Sequence, residues 1–226
     1  MSLRIFDNYN LRARISVIVF YITPFIFDFI LVFGENFSFI ENALITIFSV
    51  VFCQGLLNVC RPKNNTTNKN YAATLLKSDS SLSQENRKRY YRKLSSFEPE
   101  FSKFKCTEEA SYELCDSAVS WLRAKTRDKK DFPLVFEENI NYGFYRNMHS
   151  FKKYGIMLNS IVLIVLFSSI WIPFLDFLKQ SEINFVVVSI IHIFEIVYLF
   201  LVITKNLVTE SAKRYAKALI EAIDIL

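Results

Sequence analysis

Four long apolar runs punctuate the chain, at residues 15 to 33, 37 to 59, 155 to 175 and 183 to 204, and the longest polar stretch separates the first two from the last two. Each run is close to the ~20 residues that cross a ~30 Å hydrocarbon core, so the pattern predicts four transmembrane helices in two hairpins. Between the hairpins, from Phe132 to Lys153, the apolar residues Phe132, Phe136, Ile140, Phe144, Met148 and Phe151 recur at intervals of four or three. That is the stripe of an amphipathic helix. Pro133 suits its first turn, where the missing N–H costs nothing. No break signal separates this stripe from the apolar run at Tyr154. One continuous helix is therefore expected to carry a packed soluble face at its start and to enter a membrane at its end.

The rest of the central segment also reads as helix. SDSSLS at 78 to 83 offers N-caps for a helix through QENRKRYYRKL. A turn around Glu98-Pro99-Glu100 follows, and Thr107 with Glu108 and Glu109 is the expected start of a second helix with Ala110, Leu114, Ala118, Trp121 and Leu122 as its apolar stripe. No stretch alternates as a strand does. The expected fold is all-α, an integral membrane protein with a small helical cytoplasmic domain between its hairpins. Its divisions are 1–60, the N-terminal tail and first hairpin; 61–153, the basic helical domain; 154–204, the second hairpin; and 205–226, a C-terminal helix. A domain of about ninety residues has a limited core of its own, so the hairpins or neighbouring subunits are expected to complete it.

Composition sharpens this picture. Hydrophobic residues make up 52% of the 226-residue chain, too many for an ordinary soluble domain. The first run follows Arg12 and Arg14 but is longer than a signal-peptide core and lacks a small-residue cleavage site, so it is expected to remain as a span. Lys and Arg number three before residue 15, nineteen in 61 to 153 and four from 205 onward, and the two short turns hold only Lys179. The positive-inside rule then puts both termini and the central segment in the cytoplasm. Cys53, Cys60, Cys106 and Cys115 show no metal-ligand spacing, so reduced thiols and no metal or cofactor are expected.

Candidate chemistry falls into three classes. Phosphate-loop, dinucleotide, nucleophile-elbow and zinc-protease motifs are all absent, and His149 and His192 are the only histidines, so an enzyme is not expected and no catalytic residue is assigned. A pore is the second class. His192, Glu195 and Tyr198 share one face of the last apolar run, and Asp28 lies within the first, just after Pro24, a helix-kinking residue. Ionisable groups at the depth of Glu195 face a bundle interior or an aqueous path, whereas Asp28, five residues before Phe33, has a partner, a water-filled cavity or the outer headgroup region open to it. In a symmetric oligomer Glu195 would form a ring of carboxylates, whereas contacts to His192 or Asp28 would simply hold the helices together. Ligand sensing is the third class. The central segment has nineteen basic against twelve acidic residues, which favours an anionic nucleotide, nucleic acid or lipid headgroup. Tyr90 and Tyr142 can stack bases, while Arg89, Arg123, Arg127, Lys130 and Arg146 can hold phosphates.

The stretch WLRAKTRDKKDFPLVFEENINYGFYRN, residues 121 to 147, together with the four-span layout, resembles small membrane effectors of bacterial anti-phage defence. It is most similar to the channel-forming partner of Hailong-type systems, and next to the membrane subunit of Kiwa-type systems. The resemblance implies a homo-oligomeric, tetrameric channel of the bacterial inner membrane. It also implies a nucleotide or oligonucleotide signal, and a cytosolic nucleotidyltransferase or other defence protein as partner. Infection would change the signal, and depolarisation would stop growth. The alternative is a membrane-anchored scaffold that recruits a cytosolic partner and forms no pore.

Overall fold

The computed structural model describes residues 7–33, 43, 46–47, 70–78, 81–106, 110–173 and 182–226, and the described chain is all-helical with no strand. Of the expected second span, 37 to 59, only residues 43, 46 and 47 are described; the first hairpin turn, residues 174–181 and Thr107 to Glu109 lie outside the described residues. Three described helices are long and apolar enough to cross a membrane, lying within Asn8–Ile30, Pro133–Ser168 and Asn184–Leu201. The chain divides into two compact units, Met1–Lys63 with Gly143–Val208, and Asn64–Tyr142 with Thr209–Leu226.

The first, apolar unit contains α1 (Ser16–Phe33), which is preceded by a turn at Asn8–Asn10 and a π-helical turn at Leu11–Ile15. Asp7 starts this segment by accepting from the Asn10 N–H at 2.7 Å. The unit also holds most of α5 (Pro133–Ser168) and all of α6 (Glu182–Leu201). Its outward positions are apolar: Phe27 and Ile30 on α1, Ile161 and Ile164 on α5, Ile190 and Phe194 on α6 are all exposed. Its inward positions include Asn159, His192 and Glu195. This distribution inverts that of a water-soluble protein and suits a lipid surround.

Close helix approach depends on two glycines. A Cβ on Gly155 would collide with the Tyr21 ring, and one on Gly143 would come within 2.7 Å of the Tyr9 hydroxyl. Tyr21 donates to the Met148 carbonyl at 2.7 Å, and Asn147 to the Ala13 carbonyl at 2.7 Å, so α5 is stitched to the first helix through backbone acceptors. Lys152 reaches the Phe200 and Ile203 carbonyls at 3.2 and 2.9 Å. A cation there satisfies carbonyls that the end of α6 leaves free.

The second, charged unit contains α2 (Tyr71–Ser78), α3 (Gln84–Phe97), a 3-10 helix at Pro99–Cys106, α4 (Tyr112–Lys125), the start of α5, and residues of α7 (Lys205–Glu221) followed by a 3-10 turn at Ala222–Asp224. Ser83 caps α3 as the sequence predicts, accepting from the Asn86 N–H at 3.2 Å. For α4 the start differs from expectation. Ser111 is the cap, accepting from the Leu114 N–H at 3.2 Å, because its extended backbone turns the hydroxyl onto the first free donors. The core gathers Leu76, Tyr90, Tyr91, Leu94, Phe101, Phe104, Cys115 and Leu122 with Leu219, Ile220 and Ile223 of the C-terminal segment. Residues 209–226 thus contribute to this core, a contribution that the local sequence pattern does not announce.

The expected continuous helix from Pro133 is observed, 36 residues without a break. It ends at Ser168 rather than 175. Pro173 disfavours helical backbone in the residue before it, and the chain turns at Ser169, Ile170 and Trp171.

Candidate functional site

The apolar unit brings three polar side chains from three helices into one hydrogen-bonded cluster. His192 of α6 is fully buried, and its Nε2 lies 2.7 Å from Oδ2 of Asp28 on α1. Its Nδ1 is hydrogen-bonded to Oδ1 of Asn159 on α5. Asn159, also fully buried, donates from Nδ2 to the Gly155 carbonyl at 2.8 Å. Because a carbonyl oxygen only accepts, the Asn159 atom facing Gly155 is its NH₂ and the atom facing His192 is its oxygen. The His192 Nδ1 must therefore carry a proton. Phe25 packs edge-on against the imidazole, with ring centroids 5.6 Å apart, and keeps that side of the cluster apolar.

Glu195 lies one turn beyond His192 on the same helix and is only 3% exposed. Asn159 faces it, yet neither carboxylate oxygen completes a hydrogen bond among the described residues; Oδ1 of Asp28 is likewise without one. Tyr21 and Tyr198 are its other polar neighbours, and the Tyr21 hydroxyl is committed to the Met148 carbonyl. Asp28, His192 and Glu195, singled out from the sequence one by one, thus stand together within one chain, His192 and Glu195 buried and Asp28 partly exposed. Asn159 was not singled out. Its signal was the lone amide in the apolar run GIMLNSIVLIV, four residues after a glycine.

The residues proposed for an anionic ligand are dispersed. Arg89 pairs with Asp224 at 2.7 Å, and its guanidinium lies 5.2 Å from the centre of the Tyr90 ring. Lys93 joins them, reaching Asp224 Oδ1 at 3.1 Å and the Asp224 carbonyl at 3.1 Å. The Tyr90 ring is 3% exposed and belongs to the core, and burial raises its hydroxyl pKa although the Arg89 bond opposes that shift. Arg123 instead donates to Asn70 at 3.1 Å, whose NH₂ is held by Asp116. Arg127 and Lys130 are exposed beyond the end of α4. Tyr142 stacks in parallel on Tyr215, centroids 6.3 Å apart. Arg146 belongs to the apolar unit and the other six to the charged unit.

Beside this surface, Tyr91 donates to the Leu76 carbonyl at 3.0 Å and is pushed up to about 12, chiefly by burial. Cys115, its neighbour, is pushed up to about 11 by the same cause. Such a thiol is inert packing rather than a nucleophile. Comparison with protein-family models, curated proteins and solved structures finds no match.

Proposed function

We propose that this chain is the ion-conducting subunit of a bacterial inner-membrane effector, assembled as a homo-oligomer, a tetramer in its favoured form, with both termini and the charged unit in the cytoplasm. The observation that carries this reading is the Asp28–His192–Asn159–Glu195 cluster, buried except for part of Asp28, inside an apolar-faced unit. Two carboxylates and an imidazole are expensive to hold in lipid, and membrane proteins keep such groups where ions pass or bind. The positive-inside bias supports the orientation. The resemblance to anti-phage membrane effectors supports a role in defence, with a nucleotide-derived signal acting on the charged unit and depolarisation as the outcome.

The helix Pro133–Ser168 supports a coupling route, because one unbroken element contributes residues to both units. A signal shifts the open population only through a difference in its affinity for the open and closed forms. The basic residues Arg123, Arg127 and Lys130 are the surface on which such an anion would act.

A non-conducting scaffold is the second reading. It is favoured by the fact that His192 Nε2 and Asp28 Oδ2 pair within one chain, as a structural helix–helix contact does. A voltage-sensitive dye in bacteria expressing the protein, alone and with its genomic neighbour, separates the two. The channel reading expects depolarisation in at least one of these states, modified by charge reversal at Arg127. An unchanged potential in both, including during phage infection, favours the scaffold.

A further inference from the structure

We propose that Asp28, His192 and Glu195 form a proton-binding site inside the apolar unit, with one proton shared between His192 Nε2 and Asp28 Oδ2 and a second taken up by Glu195. The first half follows from hydrogen-bond chemistry. Asn159 is fixed by its bond to Gly155 and leaves His192 Nδ1 no role but donor. The 2.7 Å contact between Nε2 and Oδ2 then holds one proton, whichever atom owns it. Moving it from nitrogen to oxygen converts imidazolium and carboxylate into neutral imidazole and carboxylic acid. The net charge of the pair is unchanged and the Asn159 bond is kept, so the transfer needs no rearrangement of the helices.

The second half rests on Glu195. Both its oxygens are buried acceptors without a hydrogen bond among the described residues. Among the described residues, the groups facing it are Asn159 from α5, Tyr21 from α1, and Tyr198 of its own helix, with His192 one turn back. None of these is a permanent cation. A carboxylate in such surroundings calls for a positive species. No group of three or more His, Cys, Asp or Glu among the described residues is arranged for a metal ion, and a proton on Glu195 removes the charge without any further ligand. Asn159 touches both halves but cannot itself pass a proton as an acid or base does. It acts as the positioning residue that sets the His192 tautomer. The inference deepens the channel reading by naming the proton as the ion the cluster takes up, and rests on that reading only for transport.

The chain has two histidines, so His149→Gln leaves His192 as the sole one. With ¹⁵N-histidine in this full-length variant in lipid bilayers, NMR is expected to show His192 Nδ1 protonated. Asp28→Asn in the same background is expected to strip the proton from Nε2. An unprotonated Nδ1, or an Nε2 signal indifferent to Asp28→Asn, overturns the shared proton. A hydrophobic carbodiimide, which reacts with carboxylic acids in apolar surroundings, tests Glu195 in the unaltered protein. Mass spectrometry is expected to find an adduct on Glu195 that declines as pH rises, and none at position 195 in Glu195→Gln. No adduct, or one that ignores pH, overturns the second proton. These signals do not require an open channel. Intact signals with an impermeable bilayer would therefore remove the channel reading and leave the proton site standing.

Discussion

Single residues decide how closely the apolar helices approach. Gly155 faces a tyrosine ring that is tethered by its hydroxyl to Met148, so a Cβ there cannot be accommodated by swinging the ring away. Gly155→Ala should cost about 1–3 kcal/mol, the range for overpacking a tight contact, read as a lower melting temperature in detergent. Gly143 meets the free end of the Tyr9 side chain, a more forgiving neighbour, and Gly143→Ala should lower the melting temperature less. If both substitutions are neutral, the helices are not packed as described. At Cys115 the buried thiol stays protonated to about 11. Its folded form therefore contributes stability that is complete below the ordinary thiol range and is lost as pH rises through about 11. Alkylation at neutral pH should be far slower in the folded protein than in urea. Equal rates would mean the thiol is accessible. Asp28, His192 and Glu195 were legible in the sequence because charge within an apolar run stands out. Asn159 was not, since a neutral amide carries no such flag and its role depends on which helix lies opposite.

At the scale of elements, the caps and the long helix follow from local chemistry. Ser83 and Ser111 each accept an N–H three residues on, so Ser83→Ala and Ser111→Ala should each cost about 1 kcal/mol in chemical denaturation. The α5 helix was readable from its phenylalanine stripe and Pro133, because both periodicity and cap act within a few residues. Its end was less so, since Ile170, Trp171 and Ile172 before Pro173 look helical until the proline's effect on the residue before it is considered. The largest element-scale difference is α7. Ala212, Ala216, Leu219 and Ile220 form its buried face, and Arg89 and Lys93 anchor the following turn through Asp224. Nothing local in residues 205–226 says which surface that face will cover; it depends on contacts across more than a hundred residues of sequence. Leu219→Ala should cost about 2–5 kcal/mol, as for other fully buried leucines. Asp224→Ala should cost less than about 1 kcal/mol, because the pair it breaks is partly exposed and screened. The reverse order would mean that the ion pair, not the apolar face, holds the C-terminal segment.

For the whole molecule, the division of labour is chemical. One unit turns apolar side chains outward and shelters a polar cluster; the other closes a conventional apolar core beneath a charged surface. The all-helical character was legible because every apolar stripe has helical spacing. The joining of residues 64–142 with 209–226 was not, since that depends on tertiary contacts. The central claim is that the cluster makes the bilayer permeable to ions. Its most direct test is flux through the purified full-length protein in liposomes, with a trapped pH dye and a potassium-sensitive dye read in parallel. Flux is expected from the unaltered protein and should fall at least about tenfold in Asp28→Asn and Glu195→Gln, a barrier change of about 1.4 kcal/mol, while both variants elute at the size of the unaltered protein. Liposomes that stay tight to both ions with every variant, also after addition of a lysate from phage-infected cells carrying the neighbouring gene, would contradict it.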